Sequence, residues 1–222
     1  MTAPYLSLLL ADGRLPTGAH TQSGGVEPAF QAGMPLAAVP DYLTVRLRTV
    51  TEVEAATAVL ARRTWADGGP DRVAALVALD VAWRARTPSD VLRDAADLLG
   101  RSHLRLAAAV WDLAPLVEAR RLWCRAFVVG VTAAAAGLSA AETARLVAFD
   151  DVQTVLAAAL KLAPFDPAHG VAWAVRAQPE VERLVERVAD LLSPADLPAP
   201  TAPLLEQWGQ QHRDSERRLF RA

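Results

Sequence analysis

The chain has 222 residues, 52% of them hydrophobic, and a formal net charge of −2. A chain of this length can bury a full core, and one domain is the expectation. The near-neutral charge without a basic stripe argues against nucleic-acid binding. The longest apolar run, residues 126–138, is too short to cross a bilayer. The chain has a single cysteine, Cys124, and therefore cannot form an intramolecular disulfide. We therefore expect a cytoplasmic protein that binds neither nucleic acid nor membrane.

The first feature along the chain is a glycine-rich turn that follows the apolar stretch from Tyr5 to Ala11. Pro16 fixes its own φ angle, and Gly18 and Gly25 allow backbone angles that other residues resist. Ser23 could cap a helix that starts directly after the turn. On shape alone, the turn is either a connection between helices or a binding loop.

Helical periodicity then covers most of the chain, and no β-strand alternation persists. The predicted segments are one long helix from Tyr42 to about Ala66, a helix from Asp71 to Ala85, a helix from Thr87-Pro88 to about Val110, a helix opened by the capping box Ser139–Glu142, and a segment from Asp166-Pro167 that is interrupted or kinked near Pro179. The predicted fold class is therefore all-α, with a single helical bundle domain over residues 1–192.

Residues 193–222 are predicted to form a proline-rich linker and a C-terminal partner-binding tail. The prolines between Ser193 and Pro203 prevent a continuous helix there. From Leu204 onwards the chain is polar and arginine-rich, with Leu219 and Phe220 close to its end. We expect this tail to be an extended or mobile arm in the free protein, and the alternative is that it folds back onto the bundle.

Sequence patterns for catalysis or metal binding are weak. The stretch Thr21–Gly25 is one residue away from the G-x-S-x-G pattern of serine hydrolases, but no strand precedes Ser23. Lys161 is the only lysine and has no glycine beside it, which excludes a P-loop. The histidines are far apart, so no closed metal site is predicted. The adjacent carboxylates Asp150 and Asp151 point apart on a helix and are interpreted as a solvated face.

Both ends of the chain carry a resemblance to a known family. The N-terminal residues that match are Leu15, Pro16, Thr17, Gly18, Ala19, Ser23, Gly25 and Glu27, extended by Phe30, Ala32 and Gly33. The C-terminal residues that match are Pro203, Leu204, Leu205, His212, Arg218, Leu219 and Phe220. In this order and spacing they resemble the urease accessory protein UreF family, in its divergent branch rich in alanine and arginine. One departure is Pro164-Phe165-Asp166-Pro167, where many members carry P-L-G-Q.

The resemblance implies an all-α, homodimeric protein that is not an enzyme. It implies that N- and C-terminal segments bind a second accessory protein, UreD (also called UreH). The two proteins then recruit the GTPase UreG to the apo-urease subunits, where nickel is inserted. Nickel would be the cargo of that complex, and no stably bound cofactor and no catalytic residue are expected in this chain.

The predicted partner-binding residues lie in the two matching segments. They are Pro16, Thr17, Gly18, Ser23, Gly25, Glu27, Arg218, Leu219 and Phe220. No metal ligand is assigned, although His20 in the turn is a candidate for a weak site shared across a dimer axis. Two alternatives stay open: a regulator of the partner GTPase's nucleotide cycle, and an independent serine hydrolase that uses Ser23 and His20.

Overall fold

The computed structural model describes residues 3–213 and 219–220, and within them it contains helices and no β-strand. The all-α fold class is therefore confirmed. The α-helices are α1 (Ala3–Leu10), α2 (Val26–Gln31), α3 (Val39–Leu47), α4 (Val50–Asp67), α5 (Arg72–Ala85), α6 (Asp90–Ala108), α7 (Ala114–Glu118), α8 (Arg125–Ala135), α9 (Ala140–Leu162), α10 (Pro167–Val188) and α11 (Pro203–Arg213). No helix in these two ranges is long and apolar enough to span a membrane.

Helices α4 and α8 form the centre of the bundle, and α9 packs against α4. Small side chains on α4 let the backbones come close together. A Cβ atom added to Gly130 of α8 would lie 2.1 Å from the carbonyl oxygen of Ala58 on α4. Cys124, directly before α8, is fully buried, and burial raises the pKa of its thiol well above the ordinary value. This cysteine is therefore a packed core side chain and not an exposed nucleophile.

Capping residues set the starts of α9 and α10 as the sequence predicts, whereas α6 begins only at Asp90, with Ser89 as its cap, and not at the predicted Thr87-Pro88. The Glu142 amide donates to the Ser139 hydroxyl at 3.2 Å, and the Ser139 amide donates to the Glu142 carboxylate at 2.7 Å, which completes the capping box of α9. Asp166 caps α10. Helix α10 then runs unbroken through Pro179, contrary to the expected interruption. Pro179 has no N–H to donate to the carbonyl group one turn before it. Because Pro179 is exposed, that carbonyl group lies next to solvent.

The predicted helix from Tyr42 to Ala66 is wrong in one respect, because the structure divides it into α3 and α4. The chain leaves the helical region at Thr49, with φ −131° and ψ −96°. Thr49, Val50 and Thr51 are consecutive β-branched residues, which are weak helix formers. The break brings side chains of the last turn of α3 and the first turn of α4 into one cluster, which is described below.

In residues 193–213 and 219–220 the structure does not have the extended arm that the sequence led us to expect. Helix α11 packs against α2 and α6. Trp208 lies with its ring centroid 6.5 Å from that of Tyr42, and Gln210 donates to the Asp90 carboxylate at 2.7 Å. The linker is also attached, because the Leu197 carbonyl accepts a 3.0 Å hydrogen bond from Arg86. A tail with apolar residues on one face gains more by covering α2 and α6 than by remaining in water.

Candidate functional site

The glycine-rich turn adopts left-handed backbone angles where its glycines stand. Gly25 has φ +79° and forms the N-cap position of α2. A Cβ atom at this position would lie 2.7 Å from the Tyr42 hydroxyl, so both the angle and the space favour glycine. Ser23 does not cap α2 as predicted. Its hydroxyl accepts from the Gly25 amide at 3.2 Å, inside the turn.

A buried arginine holds this turn against the bundle. The Gly24 carbonyl accepts two hydrogen bonds of 2.7 Å, one from the Tyr42 hydroxyl and one from the Arg46 guanidinium. Arg46 also forms a bidentate pair with Asp151, at 2.5 and 3.0 Å. Thr51 donates to the same carboxylate at 2.7 Å. Arg46 therefore connects the turn to helix α9.

These contacts set the charge states in the cluster. Burial opposes the charged form of Asp151, but the Arg46 charge and the hydrogen bonds outweigh burial and hold its pKa below the ordinary value. Burial raises the pKa of Tyr42 to about 12, so its hydroxyl keeps its proton and can donate to Gly24. The cluster is therefore an ion pair with a neutral phenol beside it near neutral pH.

A cleft of about 170 Å³ lies beside this cluster, between the turn and helices α4, α5, α6, α8, α9 and α11. A second ion pair, Arg125 with Asp150, lines it. Glu54 is partly buried next to this pair and accepts a 3.0 Å hydrogen bond from the Trp83 indole. Burial raises the pKa of its carboxyl group. Asp150 and Asp151 therefore do not form the solvated face that the sequence suggested, because each pairs with an arginine.

The Glu27 carboxylate joins the two ends of the chain. It accepts the backbone N–H groups of Leu219 at 2.6 Å and Phe220 at 2.8 Å. Its second oxygen lies 3.3 Å from Nε2 of His212, which is itself 3.2 Å from the Phe220 carbonyl oxygen. The Phe220 ring is buried, and the Lys161 ammonium lies 5.4 Å from the ring centroid. We call this set of contacts the terminal junction.

The structure places the described partner-binding candidates in two environments. Pro16 and the Leu219 side chain are exposed. Thr17, Ser23, Glu27 and Phe220 are buried and support the surface from below, while Gly18 and Gly25 are partly buried. Arg218 lies outside the described residues.

The alternative with catalytic Ser23 finds no support in this geometry. The Ser23 side chain is fully buried, and what precedes it is a short 3-10 turn, Ala19–Thr21, and not a strand. His20 lies exposed in that turn. Within residues 3–213 and 219–220 no cluster of three or more His, Cys, Asp or Glu side chains is arranged to hold a metal ion.

Comparison with known proteins decides the family. A sequence model of the UreF family matches residues 36–178. The urease accessory protein UreF of Mycolicibacterium vanbaalenii is 37% identical over 96% of both chains, and that of Mycobacterium marinum is 33% identical over 99% of both. The UreF protein of Mycobacterium sp. strain JLS is 35% identical over 99% of both chains. The chain belongs to the UreF family of urease accessory proteins.

The matched range of the UreF model contains the two ion pairs at the cleft, but neither Glu27 nor the C-terminal end that meets it. Arg46, Glu54, Arg125 and the two aspartates of α9 all fall within residues 36–178. The glycine-rich turn and the C-terminal end lie outside this range, and only the near full-length alignments extend to them. These relatives are named accessory proteins and not enzymes, which agrees with the prediction that the protein is not an enzyme.

Sequence reasoning missed the buried charges of this UreF-family site. Arg46 and Asp151 are 105 positions apart, and no local pattern indicates that they pair. The one available signal was the position of two adjacent aspartates within an otherwise apolar stretch of α9, where charges are rarely buried without partners.

Proposed function

We propose that the chain is a non-enzymatic adaptor in the maturation of urease. Together with a UreD/UreH-like protein, it recruits a UreG-like GTPase to the apo-urease subunits for nickel insertion. Nickel is the cargo of this cytoplasmic complex, and the adaptor holds no cofactor of its own. The observation that carries the proposal is the terminal junction: both segments predicted to bind the accessory partner meet at Glu27.

The junction suits recognition because it leaves one apolar side chain free above a fixed backbone. The Leu219 amide is held by Glu27, whereas 64% of the Leu219 residue surface is exposed. Exposed apolar side chains on a rigid support are effective anchors for a partner, since little conformational freedom is lost on binding. The UreD/UreH-like protein therefore contacts Leu219 together with Pro16, and the buried residues of the turn determine the shape of that surface.

A homodimer is part of the proposal, and the first half of α10 supports it. Val171 and Val175 lie one turn apart on this helix, and both are largely exposed. The fully buried residues of α10 begin only at Glu180, and the first half of the helix is only partly buried through Trp173, Ala174 and Ala177. In a two-fold symmetric dimer the same apolar face of a second copy would cover these valines. Light scattering on Val171→Glu tests this contact, and a monomeric wild-type protein would contradict it.

Reconstitution with purified partners tests the adaptor role. The chain, a UreD/UreH-like protein, a UreG-like GTPase and apo-urease are combined with nickel, bicarbonate and GTP, and complex formation, bound nickel and urease activity are measured. Leu219→Ser should weaken the complex with the UreD/UreH-like protein. Leu192→Ser is the matched control, because Leu192 is similarly exposed but lies outside the junction.

The outcomes separate the adaptor from its alternative. If the chain is omitted and nickel still enters urease at the same rate, the adaptor role is contradicted. If the complex assembles equally well without the chain, but GTP hydrolysis by the UreG-like protein changes on its addition, the chain regulates the nucleotide cycle instead.

A further inference from the structure

A second surface lies on the far side of α6 from the cleft. Leu92, Ala96 and Leu99 line the cleft, whereas Arg101 and Leu104 occupy the opposite side of the helix, as the helical repeat of 3.6 residues requires. There they border a separate cavity of about 240 Å³, whose other wall is the segment between α7 and α8. We call it the arginine cavity, because Arg101, Arg120 and Arg121 line it.

Arg121 is held in place, and part of its hydrogen-bonding capacity stays unused. Its Nη2 donates to the buried carboxylate of Asp80 at 2.9 Å, and its guanidinium lies 4.6 Å from the centroid of the Trp123 ring. Among the described residues it has no other acceptor, and its Nε is buried without one. A guanidinium carries five N–H donors. This side chain is thus oriented in advance and can still bind a carboxylate.

The carboxylates behind the cavity are already matched by cations. Arg84 bridges Asp80 and Asp97, at 2.9 and 2.7 Å, and Arg121 binds the same oxygen of Asp80, Oδ2, at 2.9 Å. The two carboxylates, Asp80 and Asp97, are therefore balanced by Arg84 and Arg121. They leave no negative charge to neutralise Arg101 and Arg120.

Arg101 and Arg120 give the cavity its excess of positive charge. Both are exposed, and neither forms an ion pair with a carboxylate in the part of the chain that the structure describes. Arg120 has φ +47°, the one positive φ of a non-glycine residue within residues 3–213 and 219–220. Strained backbone of this kind concentrates at functional sites. Leu122 in the cavity wall is 44% exposed, and nearby Val117 is 51% exposed.

We propose that the arginine cavity binds an acidic segment of a partner protein. An Asp or Glu side chain of that segment accepts N–H groups of Arg121 inside the cavity, and Arg101 and Arg120 attract it from the rim. An apolar neighbour in the same segment covers Leu122, which an inorganic anion would leave exposed. This proposal does not rest on the urease adaptor role, because it uses a different side of α6.

A labelled peptide tests the proposal with the full-length chain. The probe is fluorescein-labelled Glu-Leu-Glu-Glu-Leu, and its counterpart carries glutamine in place of each glutamate. Fluorescence anisotropy measures the binding of both to wild type, Arg101→Gln and Arg120→Gly; glycine keeps the left-handed backbone available at position 120. Arg176→Gln is the matched control, because Arg176 is also exposed on a helix without an ion pair in the described residues. Circular dichroism confirms that each variant is folded.

We expect the glutamate peptide to bind at least tenfold more tightly than its glutamine counterpart. Arg101→Gln and Arg120→Gly should each weaken binding by about three- to fivefold, as for exposed charge pairs, and Arg176→Gln should not. Equal losses in all three variants, or none in the first two, would overturn the proposal. The absence of binding at millimolar protein would also overturn it. So would displacement of the labelled peptide by inorganic phosphate at the same concentration at which unlabelled peptide displaces it, because that would indicate a simple anion site.

Discussion

Replacement of Glu27 by glutamine should release the C-terminal end while the bundle stays folded. The carboxylate accepts two buried backbone N–H groups, at 2.6 and 2.8 Å, and hydrogen bonds to a charged acceptor contribute about 1.5–3 kcal/mol each. Glutamine keeps one acceptor oxygen but directs an NH₂ group towards the second amide. The loss of one bond and of the charge on the other amounts to about 3 kcal/mol, or roughly a hundredfold in the local opening equilibrium.

Native-state hydrogen exchange, followed by mass spectrometry on C-terminal peptides, measures this opening. In Glu27→Gln, the amides of Leu219 and Phe220 should exchange about a hundredfold faster than in wild type, whereas amides of α4 and α8 should keep their protection. Glu186→Gln is the control, since Glu186 is exposed on α10 and has no ion pair within the described residues. Unchanged protection at Leu219 and Phe220 would refute the reasoning, and so would a uniform loss of protection across the bundle.

Three further predictions concern buried or partly buried groups. His103 is buried, and burial lowers its pKa to about 3, whereas the unfolded value is about 6.5. Because the unfolded state takes up the proton first, the free energy of unfolding should decrease as the pH is lowered from 6.5 towards 3, by about 2 kcal/mol at pH 5. His103→Leu should remove that dependence and His169→Leu should not. Asp151→Asn leaves Arg46 buried without its charge partner and should lower the free energy of unfolding in urea by about 3–5 kcal/mol. Gly25→Val should lower it by about 2 kcal/mol or more through its positive φ, whereas Gly13→Val, with no atom within 4 Å of the added Cβ, should change it little.

The sequence contains enough information for the helices whose starts are marked locally. Ser139 and Asp166 are capping residues with their partners within a few positions, and the predicted starts agree with the structure. The break at Thr49 was missed although a run of β-branched residues marks it, because the hydrophobic periodicity continues across it. The continuity through Pro179 was missed because it depends on the solvent exposure of that helix face. Local propensity decides helix ends well when a cap is present and poorly when tertiary packing competes with it.

The candidate site was only half predictable for the same reason. The glycine-rich turn and the C-terminal end were each identified by their residue pattern, but no pattern shows that they touch. Their contact requires a carboxylate at position 27 to meet amides 192 and 193 positions later. The predicted arm failed because Phe220, which looks exposed in a polar stretch of sequence, has a place to be buried once α2 and α9 are assembled.

The contacts around α2 explain why the turn and the C-terminal end behave as one unit. Helix α2 has six residues, too few to be stable in water on its own. Arg46 and Tyr42 fix the chain just before it through the Gly24 carbonyl, and Glu27 fixes the C-terminal end to its first turn. Since Arg46 is itself held by Asp151, the position of the exposed Leu219 depends on a buried ion pair within the range that the UreF model matches. A partner that binds this surface would meet groups already ordered by the bundle, and its affinity would therefore be lowered by substitutions in the buried cluster that it never contacts.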